Sequence, residues 1–137
     1  MSNIDAERPK ENFRVSFVIQ GSGLDFEAIA RGINIAPSHI HRIGDISKAK
    51  HTYHHDMWSI TSPLKPQDEP LNAHLKWLAK QLSPSYEFIK SLKSSTEIYI
   101  YCGYTTENEQ SGFALSSEAL SILTDLGISM DVSILSI

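Results

Sequence analysis

The chain has 137 residues, 41% of them hydrophobic, with a formal net charge of -4 and a single cysteine. That length supports one packed core rather than two comfortable domains, and a lone Cys102 excludes an internal disulfide framework. The opening MSNIDAERPKENF has no apolar signal core, and no later run approaches the roughly 20 apolar residues of a membrane span, so a cytoplasmic protein without membrane contact is expected.

In chain order, residues 1–12 are expected to be a flexible segment, and 13–137 a single α+β domain. FRVSFVIQ, residues 13–20, alternates with Phe13, Val15 and Phe17 on one side and predicts a strand. QGSGLDF, residues 20–26, is too partial a glycine pattern for a phosphate loop, and Asp25 would oppose an anion there; it is a turn into a helix. Asp25 caps that helix, whose Phe26, Ile29, Ala30 and Ile33 follow the i, i+3, i+4, i+7 spacing while Gly32 weakens its end. Residues 34–53, with Pro37 and Gly44 and little periodicity, read as a loop, and 57–61 as the next strand.

Pro70 suits the first turn of a helix bearing Leu71, Leu75, Leu78 and Leu82 in one stripe. Ser83-Pro84 breaks it and starts a second helix to about Leu92. EIYIYCGY, residues 97–104, is the clearest strand, followed by a turn and a short strand at 113–115. Ser116 caps a last helix with Ala119, Ile122, Leu123 and Leu126 on one face, Gly127 ends it, and ISMDVSIL closes the chain as an alternating strand. LDFEAI (24–29) and LSSEAL (115–120) share a leucine, a cap, then Glu-Ala and an aliphatic residue, the pattern of a stapled helix start. Together these elements predict an α+β fold: a mixed, largely antiparallel sheet of about five strands with about four helices packed on it, built from a duplicated strand-helix unit.

HTYHHDMWSI, residues 51–60, concentrates histidines ahead of a strand. In an extended chain His54 and Asp56 share one side and His55 the other, so His54 and Asp56, with His39 or His41, form the one conceivable metal set; the spacing matches no zinc pattern. Polar approach to a strand is the preferred reading, with no metal and no cofactor. Cys102 shares a face with Ile98 and Ile100, which favours an inert buried thiol over a nucleophile. Tyr99 and Tyr101 face the other way, and are either helix-covered, the weightier reading, or an open aromatic surface.

Charge is unevenly distributed. From Glu97 to Ile137 there are six acids and no lysine or arginine, a pattern that disfavours nucleic acid and favours basic partners. The expected partner-binding residues are Glu97, Tyr99, Tyr101, Glu107, Glu109, Asp125 and Asp131.

GINIAP, Gly44-Asp45, the WSI strand at 58–60, LNAHLKWLAKQLSP, YIYCGY and the closing GFALSSEALSILTDLGISMDVSI occur in an order that resembles the bacterial domain family of unknown function numbered four-two-seven-nine, from Phe13 onward. The resemblance implies a fold and carries no catalytic residues. Small domains of this kind resemble immunity proteins encoded beside bacterial toxins, which implies a non-enzymatic inhibitor of a cognate, basic protein toxin. The alternatives are a histidine-dependent metal protein or small enzyme, and a module that pairs with its own copy as a homodimer through an edge strand.

Overall fold

Apolar residues at every second position make Glu11–Gly21 (β1) the spine of the molecule, with Phe13, Val15, Phe17 and Ile19 all buried on one side. The computed structural model describes residues 11–137. Residues 1–10 of the segment expected to be flexible lie outside the described residues, while Glu11 and Asn12 already belong to β1. After β1 come α1 (Phe26–Ile33), β2 (His39–His41), β3 (Asp56–Thr61), α2 (Leu71–Leu82), β4 (Glu97–Thr106), α3 (Ser117–Leu126) and β5 (Ser129–Ser136).

The sheet runs β2-β3-β1-β4-β5. The first three pairings are antiparallel, and β4 with β5 is parallel, the crossover between them being α3. The α+β class and the mixed five-stranded sheet therefore match the expectation, with two changes in detail. The strand expected at 113–115 does not form, because Phe113 turns inward and packs edge-on against Phe13 and Tyr104, at ring-centroid distances of 5.6 and 5.2 Å. Its place in the count is taken by β2, inside the stretch read as a loop.

The helix count among the described residues also differs, three rather than about four. The expected second helix of the middle pair is only a six-residue segment, Tyr86–Ser91, joined to the end of α2 by a 3-10 turn at Ser83–Ser85. Pro84 sits in that turn, and Ser85, at φ -114° and ψ 11°, leaves the regular helical region, so the short segment is an appendage to the end of α2. The two helix starts do share their capping chemistry: Ala28 donates to Asp25 Oδ1 and Ala119 to Ser116 Oγ, each at 3.0 Å. Their far ends are unlike. α1 runs through Gly32 and stops on Asn34 in the left-handed region, whereas α3 stops on Gly127, and only α3 leads into a parallel strand.

One buried cluster joins Phe17, Trp58 and Ile100 of the strands to Leu75 and Leu78 of α2, Ile33 of α1 and Ile122 of α3. Val18, on the other side of β1, is buried but lies outside that cluster. The helices thus form one layer on one face of the sheet, and among the described residues no helix lies on the other face. No helix among the described residues is long and apolar enough to cross a membrane.

Candidate functional site

Alternation along β4 decides what the helix-free face presents. Ile98, Ile100, Cys102 and Tyr104 are buried beneath the helices, so Glu97, Tyr99, Tyr101 and Gly103 project the opposite way. In the parallel register Tyr101 lies beside Asp131 and Tyr99 beside Ser129, while β1 places Ser16 beside Tyr101 and Gln20 beside Glu97. The two tyrosines are therefore not helix-covered, against the weightier expectation. They form part of an open surface.

A short hydrogen-bonded chain fixes one end of it. Tyr99 OH donates to Gln20 Oε1 at 3.0 Å, and Gln20 Nε2 donates to Glu97 Oε2 at 3.3 Å. Partial burial raises the Tyr99 pKa, and the carboxylates of Glu97 and Asp131 and the neighbouring Tyr101 add to the shift. Tyr99 stays a neutral donor between two anions. Tyr101 folds over Gly103, where an added Cβ would stand 3.4 Å from its ring; the glycine gives that ring a floor. Farther along, Ser16 and Thr61 pair their hydroxyls at 2.8 Å. Arg14, opposite Gly103, is the one lysine or arginine in the five strands.

Of the seven residues expected to bind a partner, the structure brings together Glu97, Tyr99, Tyr101 and Asp131. Glu107 and Glu109 follow the opposite end of β4 from Glu97, about 30 Å away at the usual rise per strand residue. Asp125 belongs to the helical layer, where with burial it raises the Tyr86 pKa. One continuous acidic patch is not formed.

The histidines divide as well. Asp56 opens β3 on its helix side, buried, and accepts from Leu24 N at 3.0 Å, Ile43 N at 2.8 Å and Arg42 Nη1 at 2.8 Å. Those donors, the Ile43 amide foremost, hold its pKa down at about 2. Arg42 also donates to Leu24 O and lies over the Phe26 ring, 3.9 Å from its centroid. Asp56 is thus a latch between the 42–53 hairpin and the start of α1, both its oxygens engaged by these donors, and not a partner for the exposed His54. His55, also exposed, helps line a shallow depression of about 260 Å³ with Gln20 and Glu97.

His39 and His41 alternate along β2 and share the open face with Ser59 and Met57. His39 Nε2 lies 2.9 Å from His41 Nδ1, and His41 stacks flat on Tyr53, with centroids 3.5 Å apart. Burial lowers the His41 pKa, His39 lowers it further, and Asp45 and Asp56 act in the opposite sense. The contact joins the two rings by one N–H to N hydrogen bond, the tautomer deciding which ring donates. Among the described residues no three His, Cys, Asp or Glu side chains converge as a metal set. Cys102 sits under the helices with its pKa pushed up to about 11 by burial.

Sequence reasoning missed Arg42, whose clue was the Gly44-Asp45 turn behind it: Arg42 N donates to Asp45 Oδ2 at 2.8 Å, aiming the residue back at β3. No curated protein and no solved structure matches the chain. The model of the family described as Domain of unknown function (DUF4279) matches residues 11–136, nearly the whole of the described chain, and the protein belongs to that family.

Proposed function

We propose that the protein is a non-enzymatic binding protein that neutralises a cognate bacterial toxin, docking the helix-free face of β4 and β5 on a basic surface of it. The observation that carries this reading is the grouping of Tyr99 and Tyr101 with Glu97 and Asp131 on an uncovered face, in a segment from 97 to 137 that has no lysine or arginine. Tyrosines offer large contact area at small entropic cost, and carboxylates beside them steer a cationic partner and speed encounter. The only cysteine supports a non-catalytic role, because a thiol held near pKa 11 supplies almost no thiolate at neutral pH.

The test begins with capture of a partner from the native host on immobilised protein, followed by association kinetics. Glu97→Gln combined with Asp131→Asn should slow association about tenfold at low salt and far less at high salt, with far-UV circular dichroism unchanged. Tyr101→Ala should act mainly on dissociation. Charge reversal at Glu107 and Glu109 is a separate arm, which slows association only for a partner spanning the full length of β4. A captured toxin whose association is the same for wild type and the Glu97/Asp131 variant would overturn the assignment.

A further inference from the structure

We propose that β5 is a self-pairing edge: two copies of the chain join antiparallel through Ser129–Ile137, about a two-fold axis at Ser133, into one continuous sheet. This goes beyond the toxin-binding reading and does not depend on it.

β5 is the last strand of the sheet, and no strand among the described residues lies on its outer side. Its register with β4 is unbroken from Tyr99–Ser129 to Thr106–Ser136, so no bulge turns the edge away. It contains no lysine and no proline, the residues that commonly blunt such edges. Apolar side chains remain in solvent instead: Val132 is 41% exposed, Ile134 64%, Leu135 59% and Ile137 68%.

The backbone says which groups are available. Ile137 N donates to Thr106 O at 2.9 Å, and in a parallel ladder a residue's N–H and C=O point to the same neighbour, with alternate residues pointing the other way. The odd-numbered residues of β5 therefore bond to β4. Met130, Val132, Ile134 and Ser136 direct their N–H and C=O outward.

A second copy suits those groups in one register above the others. To keep the helix layers of both copies on one side, paired residues must have the same parity. Centring on Ser133 pairs the largest number of residues between Ser129 and Ile137, and makes the outward-bonding pairs Val132 with Ile134 of the partner subunit and the converse, apolar against apolar. Asp131, the one charge on the strand, then faces Leu135 of the partner subunit. Centring on Val132 would bring the two Asp131 carboxylates onto neighbouring diagonal positions, where like charges repel. In the Ser133 register they are four residues apart. A nearly uncharged strand with this arrangement is complementary to itself, the requirement of an isologous interface.

Sedimentation from about 1 μM to about 1 mM should show a monomer-dimer equilibrium for the wild-type chain. Ile134→Lys should remain monomeric throughout, with the denaturation midpoint that the wild type shows at concentrations where it too is monomeric, since the side chain is already exposed in the monomer. Ser133→Cys should form a disulfide-linked dimer on mild oxidation, because a non-hydrogen-bonded antiparallel pair brings Cα atoms within about 4.5 Å. Val132→Cys should not. Cys102 is buried and does not compete. A wild-type chain that stays monomeric across the range, a dimer untouched by Ile134→Lys, or equal cross-linking at 132 and 133 would each overturn the proposal. Should Ile134→Lys fail to fold, the cysteine pair decides alone.

Discussion

Asp56 shows how much of the loop architecture can rest on one carboxylate. Asp56→Ala would leave the Leu24 and Ile43 amides without this acceptor and take from the Arg42 guanidinium its ionic partner, so the expected result is accelerated hydrogen exchange through 42–53 and at Leu24, together with a lower denaturation midpoint. Asp56→Asn keeps an acceptor but loses the charge, and should fall between the two. Unaltered exchange in the Ala variant would remove the latch. Titration checks Asp56 again, together with His41 and with His74, a buried histidine of α2 whose Nδ1 lies 2.8 Å from Ser62 Oγ. The folded-state pKa values of His41 and His74 both lie below 6.5, chiefly through burial, so protonation favours the unfolded chain. Their contribution is intact above pH 6.5 and is lost as pH falls through 6.5 toward the folded values. Asp56 has the acidic counterpart: its contribution is complete above 3.8 and lost on acidification from there to about 2. Denaturation midpoints measured between pH 8 and 2 should therefore decline in two separate windows, and His74→Gln should shrink the upper one.

Helix α1 is held to the segment after α2 by a ring on a glycine. A Cβ on Gly32 would collide with the Phe88 ring, and the backbone at this point is helical rather than left-handed, so contact and not conformation accounts for the glycine. Gly32→Ala gains helix propensity of about 1 kcal/mol yet must displace the ring; overpacking of this kind costs about 1–3 kcal/mol, and net destabilisation is expected. Combining it with Phe88→Ala should recover the propensity gain, and a double-mutant cycle with no coupling would refute the contact. At this scale the caps were the most readable features, since Asp25 and Ser116 each act on the amide three residues ahead, a purely local event. The length of β2 was not readable. Its three residues pair with β3 beside a hairpin held by Arg42 and Asp56, a contact across 14 positions that no periodicity records. Phe113 misled in the opposite direction, because a β-forming residue was claimed by an aromatic cluster.

For the whole molecule, alternation told correctly which residues of β4 share a side, and could not tell which side the helices cover. Three helical bodies gather on the face of Ile100 and Cys102, and that one choice turns Tyr99 and Tyr101 outward. The acid-rich end of the chain was equally plain in the sequence, but the length of β4 separates Glu97 from Glu107, and α3 carries Asp125 into the other layer. Only folding shows which carboxylates are neighbours.

The two margins of the sheet are unequal. β2 is three residues long, and the chain leaves it directly for the hairpin held at Asp56, which gives an incoming strand little to add to. A body with a single adhesive margin has a valence of one: its growth terminates at a pair of subunits and cannot propagate into a fibre. In such a pair the uncovered face would become a platform of twice the width, bearing two copies of its tyrosines in fixed relation.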